Sequence, residues 1–206
     1  KELELDRATQ IGVAKNATIM FKDTPILYMP WLDFPLNNQR KSGLLPPSFG
    51  TSVSGGFEYT QPWYWNIAPN MDSTITPKIY TKRGLQVGGE FRYLQPAYGG
   101  IAAAEILPND RGSQGENRSL LALTHEQIIS SRVTGGINLQ KVSDDDYFRD
   151  LSTRIAATSQ TYLPREGTLN YADENWTLGA RVLHYQTLTD PRSPELTPIP
   201  YRLQPQ

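Results

Sequence analysis

The chain has 206 residues, a formal net charge of −1 and a mean hydropathy of −0.50, enough for one large domain or two small ones. So balanced a charge offers no field to recruit nucleic acid, and the lack of cysteine excludes disulfides and thiolate metal sites. No stretch approaches the ~20 consecutive apolar residues of a membrane helix, and KELELDRATQ does not read as a secretion signal. A membrane barrel stays open, because its alternating strands keep the mean hydropathy low.

In chain order, IGVAKNATIMFKDTPILYMPWLDFPL predicts two or three apolar strands, with Pro25, Pro30 and Pro35 at five-residue spacing. The polar run NNQRKSG (37–43) then marks a boundary, giving regions 1–40 and 41–206. Beyond it the residues alternate in segments broken by turn signals. About nine strands are expected, near 44–52, 56–65, 70–81, 84–95, 98–107, 118–130, 131–142, 154–165 and 175–188. Short connections near 66–69, 82–83, 96–97 and 130–131 interleave with longer polar ones at 108–117 and 143–150, a length asymmetry that outer-membrane barrels show. The turn at 82–83 breaks that pattern, since by alternation it belongs with the long connections. IPYRLQPQ begins like one more strand, so an odd count of nine fits a piece of a larger barrel.

The clearest alternation is GLQVGGEFRYL. Leu85, Val87, Phe91 and Tyr93 share one face; Gln86, Glu90 and Arg92 share the other, as Arg132, Asn138 and Arg181 do on later strands. In a barrel the first set meets lipid and the second a wet lumen, where Gln86 should tolerate arginine. Trp63, Tyr64, Trp65, Tyr80 and Tyr93 gather near strand ends, and such rings suit the headgroup level. Alternation alone does not separate this reading from a soluble β-sandwich that binds carbohydrate through Trp63, Trp65 and Trp176, or from a small passive pore.

Chemistry-bearing motifs are scarce. His125 and His184 lack ligand spacing and read as ordinary strand residues; the run Asp144, Asp145 and Asp146 reads as solvated loop. No nucleophile–base pair, phosphate loop or metal motif stands out, so no catalytic residue, metal or cofactor is expected.

Two stretches carry the motif blocks of one known family. PILYMPWLDFPLNNQRKSGLLPPSFG and FEYTQPWYWNIAPNMDSTITPKIYTKRGLQVGGEFRYL closely resemble the LptD family of lipopolysaccharide-assembly proteins of Gram-negative outer membranes. The specific blocks are P-x-x-Y-x-P-[WY], R-x-S-G-[FL]-L-x-P, P-[WY]-Y-W-N-I-A-P-N-x-D-x-T-[IL]-x-P and E-F-R-Y-L. They run in the family's order from Pro25 to Leu94, with weaker similarity through KVSDDDYFRD to PYRLQPQ.

The resemblance implies an all-β architecture and a transport role, not an enzyme. Residues 1–40 would be the last strands of a periplasmic OstA-like β-jellyroll that receives lipopolysaccharide from the bridge protein LptA. Residues 41–206 would begin a large transmembrane β-barrel in the outer membrane, surrounded by its lipids and plugged by the lipoprotein LptE. Ile19, Phe21, Ile26 and Tyr28 are candidates for an acyl-chain track. In this family, prolines in the first two barrel strands weaken the seam with the last strand, and the matching positions are Pro47 and Pro62. Proline lacks the N–H that a ladder needs, so this lateral gate would part sideways and pass acyl chains into the bilayer. Pro46 has no counterpart, Pro69 and Pro77 are read as shaping a turn and a bend, and plain strand-edge punctuation is the alternative for all five.

Overall fold

The structure is a computed structural model that describes residues 2–6, 8, 10–21, 23–37, 39–151, 161–189 and 202–205. For residues 19, 21, 24, 26, 27, 29, 31–33, 35 and 202–205 it describes the backbone alone. Apart from turns and linkers, the described residues form β-strands and one helical turn. A three-stranded sheet comes first: β1 (Glu2–Asp6), β2 (Ile11–Phe21) and β3 (Thr24–Pro35), in the order β1-β2-β3. All its pairings are antiparallel, with Ile11 opposite Pro35 and Phe21 opposite Thr24.

After the linker 36–42 a second, twelve-stranded antiparallel sheet begins. Its members are β4 (Gly43–Leu44), β5 (Ser48–Ser52), β6 (Gly56–Thr60), β7 (Trp63–Ala68), β8 (Met71–Tyr80), β9 (Gly84–Leu94), β10 (Tyr98–Asp110), β11 (Glu116–Ser130), β12 (Val133–Val142), β13 (Tyr162–Ala172), β14 (Thr177–Thr187) and β15 (Arg202–Pro205). The helical turn α1 (Tyr147–Asp150) lies between β12 and β13. From β8 to β15 each strand pairs with its chain neighbour, the up-and-down order of a barrel wall.

Eight of the nine expected strands of this region fall where the alternation places them. The exception is the one expected at 154–165. Residues 152–160 lie outside the described set, and the strand runs from Tyr162 to Ala172. Pro164 and Gly167 read as breakers, yet Pro164 lies one residue past the last β12–β13 pair, Leu139 with Arg165, so its missing N–H costs that ladder nothing. The strand stops where Asp173 Oδ1 accepts the N–H groups of Asn175 (2.9 Å) and Trp176 (2.8 Å) in a side-chain turn. The expected extra strand is present as β15, paired to β14.

The turns divide between two ends. The linker 36–42 and the short turns 69–70, 95–97, 131–132 and 173–176 lie at one end; turns 53–55, 81–83 and 111–115 and the long 143–161 connection lie at the other. Turn 81–83 therefore belongs with the long connections. It stays short because it is stitched to turn 53–55: Lys82 N and Nζ donate to Gly55 O (3.1 Å) and Val53 O (2.9 Å), and Arg83 Nε donates to Ser54 O (3.2 Å).

The core lies at the long-connection end, on the face that carries the even-numbered residues of β8 and β9. Tyr80, Leu107, Leu120, Val142, Leu163 and Leu188 pack there with Tyr147 and Leu151, so α1 and its flanks fold over the sheet. On the opposite face Leu85, Val87, Leu121, Leu169 and Val182 stay exposed. Leu107 is fully buried, so Leu107→Ala in the intact protein that carries this segment should cost about 2–5 kcal/mol. Leu121→Ala should cost clearly less; a denaturant titration of the folded barrel in detergent compares the two.

Candidate functional site

The first two wall strands are each broken in two, with Pro46 and Pro47 in the first break and Pro62 in the second. Residues 45–47 separate β4 from β5, and residues 61–62 separate β6 from β7. The breaks face each other: Leu44 pairs with Trp63 below them and Ser48 with Thr60 above. Three residues thus stand against two, a one-residue bulge where neither Pro47 nor Pro62 can donate. The Pro62 ring is fully buried. The third strand, β8, runs past both halves unbroken, pairing Thr60 with Lys78 and Trp63 with Ile75. Pro77 of β8 lies at the same level, because its carbonyl accepts the Gln61 N–H at 3.1 Å. A Glu58–Lys78 ion pair (2.7 Å) ties β6 to β8 just above.

Ladder parity assigns the remaining expected residues to faces. Gln86, Glu90 and Arg92 share the polar face with Asp72 and Glu105, and Arg181 reaches Glu166 Oε1 at 2.6 Å. Three expectations are corrected. Tyr64 and Tyr80 leave the aromatic belt, since both have the parity of the polar face: Tyr64 OH donates to Asp72 (3.1 Å), and Tyr80 is 1% exposed in the core. Arg132 is not on the wall, because it occupies the two-residue turn between β11 and β12. Gln86 is no open, tolerant position; it is 3% exposed and bonded to Tyr80, Glu105 and Tyr147.

Trp63, Trp65 and Tyr93 lie on the apolar face, with the two indoles 5.9 Å apart. The Tyr93 ring lies across Gly100, where a Cβ would collide with it, and its hydroxyl meets His125 Nδ1 at 2.7 Å. Trp176 sits in the β13–β14 turn, six strands along from Trp63, so the three tryptophans form no common platform. In the first sheet, Tyr28 is exposed and donates to Asn16 Oδ1 (2.7 Å), while the side chains of Ile19, Phe21 and Ile26 lie outside the described set.

Two ionic clusters escape sequence reading because their members come from distant segments. At the linker end, buried Asp72 takes Arg40 Nη1 at 2.8 Å and Arg92 Nε at 2.7 Å. Arg40 also reaches the Pro69 carbonyl, and Asn66 binds Arg40 O and Ser42 Oγ. The linker is thereby clasped to the start of the wall. At the other end, buried Asp110 holds Arg83 (2.7 Å) and Arg118 (3.3 Å), and Arg118 goes on to Asp144 (2.5 Å) and Asp150 (3.1 Å). Asp144 is therefore a structural partner rather than a solvated loop residue. Burial raises its carboxyl, but hydrogen bonds from Arg118 and Ser143 outweigh that and hold it below the ordinary range. Burial and then the Glu105 carboxylate push the Tyr147 phenol well above the tyrosine range, so it donates to Glu105 (2.8 Å) and accepts from Gln86 (3.1 Å).

An antiparallel up-and-down wall with one apolar exposed face and one polar buried face is that of a β-barrel of the outer-membrane type. The LptD family, described as "LPS transport system D", matches residues 116–206. The chain is 50% identical over 208 residues to the LPS-assembly protein LptD of Azoarcus sp. (strain BH72), covering 100% of this chain and 25% of that protein. It is 43% identical over 208 residues to the LPS-assembly protein LptD of Acidovorax sp. (strain JS42), covering 96% and 25%. With that of Nitrosomonas eutropha (strain DSM 101675 / C91 / Nm57) it shares 40% over 203 residues, covering 96% and 28%. The chain belongs to the LptD family and spans about a quarter of the length of these curated relatives.

The depressed Asp144 carboxyl fixes a pH dependence for the 143–151 segment. Its ionic bond to Arg118 contributes fully above the unfolded-chain value of 3.8 and is lost as pH falls through the lower folded value. Hydrogen exchange, corrected for intrinsic rates, should show 143–151 opening below about pH 4. Asp144→Asn should remove that transition.

Proposed function

We propose that this chain forms the entrance and the first wall strands of a barrel that inserts lipopolysaccharide into the outer leaflet of the outer membrane. The relatives' shared description as LPS-assembly proteins supplies the substrate class. The observation that carries the mechanism is the pair of facing breaks at Pro47 and Pro62, in a wall that is continuously laddered from β8 onward. A sheet in hydrocarbon stays shut because each unpaired backbone group costs several kcal/mol. Where proline has already withdrawn the donors, parting the strands sacrifices fewer bonds, so the seam beside the first strand is the place to open sideways.

In this reading the three-stranded sheet is the periplasmic end of a jellyroll, and the Arg40–Asp72 clasp fixes where its chain meets the barrel. Lipopolysaccharide would arrive from the bridge protein LptA along a track that includes Ile19, Phe21, Ile26 and Tyr28. The lipoprotein LptE would occupy the lumen against the polar face of Glu90, Arg92 and Arg181. Trp65 and Tyr93 would sit at the headgroup level of the inner leaflet, since they lie toward the linker end of their strands, whereas Trp63 lies farther along the wall, at the break and opposite Ile75.

Two experiments test this in the intact protein. Arginine in place of Val87, exposed on the apolar face, should cost up to ~2–4 kcal/mol near the bilayer midplane. Arginine in place of Thr74, which pairs with Glu90 on the polar face, should cost far less; equal losses of folded barrel would remove the membrane assignment. Replacing Pro47 and Pro62 together by alanine restores two donors, worth ~0.5–1.5 kcal/mol each where an acceptor is in reach. The double variant should fold normally yet deliver less lipopolysaccharide to the surface, and normal delivery would reduce the prolines to strand punctuation.

A further inference from the structure

Gln61 precedes Pro62 in the chain, faces Pro77 across the ladder, and does what neither can. The Pro62 carbonyl accepts the Leu45 N–H at 2.9 Å. In an antiparallel ladder such a pair normally exchanges two bonds, the second from the N–H of residue 62 to the Leu45 carbonyl. Proline has no such hydrogen. Gln61 Nε2 instead reaches the Leu45 carbonyl at 2.7 Å, and it also lies 3.3 Å from Pro62 O. The Tyr59 hydroxyl donates to Gln61 Oε1 at 3.0 Å. With the carbonyl of the amide engaged by a donor and its NH₂ by two acceptors, the orientation is fixed from both sides.

The same defect recurs one ladder along. The Gln61 N–H donates to the Pro77 carbonyl, and Pro77 cannot return the bond. At this level of the wall, therefore, two adjacent ladders each lack one rung, and one of the gaps is filled by a side chain. By parity Gln61 shares the apolar face with Tyr59 and Trp63, opposite Pro77 on β8 and flanked there by Ile79 and Ile75. An amide on a face that meets hydrocarbon is costly unless bonded, so its placement is explained by the bonds it makes.

We infer that Gln61 is a removable rung: its amide replaces the backbone bond that Pro62 withholds, and rotation of that one side chain leaves the Leu45 N–H to Pro62 carbonyl bond as the sole rung between the first two strands at this level. This rests on the lateral-gate reading above, in which the seam lies on the other side of the first strand, and gives that first strand a positioning residue on its inner neighbour. A backbone rung breaks only when the chain itself moves. A glutamine rung can let go of Leu45 while β7 stays seated on β8, which makes the join reversible.

The test is a mutant cycle on the purified intact barrel, read by hydrogen exchange of residues 43–49, with surface lipopolysaccharide measured separately. Gln61→Leu should speed that exchange about two- to tenfold, the range expected from losing one neutral hydrogen bond. Tyr59→Phe, which keeps the glutamine but frees its amide, should act in the same direction and more weakly. In a Pro62→Ala background Gln61→Leu should have no effect, because the alanine N–H takes over the Leu45 carbonyl. Unchanged exchange in Gln61→Leu, or an equal acceleration with and without Pro62→Ala, would overturn the inference. If Gln61→Leu lowers the folded fraction, Tyr59→Phe in the two backgrounds carries the same comparison. The cycle also separates the two ideas. The expected exchange pattern with normal delivery in the Pro47, Pro62 double variant keeps the rung and removes the gate. Reduced delivery in that variant with Gln61 silent in exchange removes only the rung.

Discussion

A β-wall in a medium without water is held by one requirement, that every backbone N–H find a carbonyl. From β8 to β14 this chain largely meets it with long ladders: Met71–Tyr80 against Gly84–Leu94, then Tyr98–Asp110, then Glu116–Ser130, shifted in register between Leu107 and Asp110 and between Ile128 and Ser130. At the start of the wall it does not. Pro47, Pro62 and Pro77 fall at one level of three successive strands and remove donors where the sheet would otherwise be continuous. The sideways opening proposed above rests on that contrast between a stiff wall and a weakened beginning.

The polar face is organised by a second principle, that buried charge must be paired. Asp72 and Asp110 each serve two arginines, one at each end of the wall. Such clusters contribute little net stability, because desolvation offsets much of the Coulomb attraction. What they supply is geometry. Asp72 decides where the linker from the first sheet may touch the wall. Asp110, through Arg118, decides where the 143–151 segment folds, and Tyr147 then fills the space above Gln86 and Glu105.

Much of this was legible in the sequence, and the limits are physical. Period-two alternation puts Leu85 and Val87 on one face of the sheet and Gln86 and Arg92 on the other, as the ladder does, because side-chain direction in a strand is local geometry. The same rule, applied strictly, assigns Tyr64 and Tyr80 to the polar face; reading them by aromatic type alone misplaces them. Arg83, Asp110, Arg118, Asp144 and Asp150 carry no local signal, since the fold assembles them from β10, β11, a turn and a long connection. The run of three aspartates looks like loop solvation until Arg118 is placed opposite it. Gln61 reads as an ordinary polar residue beside a proline until the strand register shows which carbonyl that proline leaves without a donor.

The broken first strands also bear on how such a wall is put together. The β8–β9 hairpin joins ten consecutive pairs through a three-residue turn, so its contacts are local and close quickly. By contrast, the first two strands pair in interrupted pieces: β4 has two pairs with β7 and β5 five with β6, while β6 has three and β7 five with β8. Ladders broken in this way gain less from early zipping, which favours growth of the sheet outward from β8 and late attachment of the first two strands. The part of the wall that is sewn in last is then also the easiest to unpick, because the same missing hydrogens weaken it in both directions.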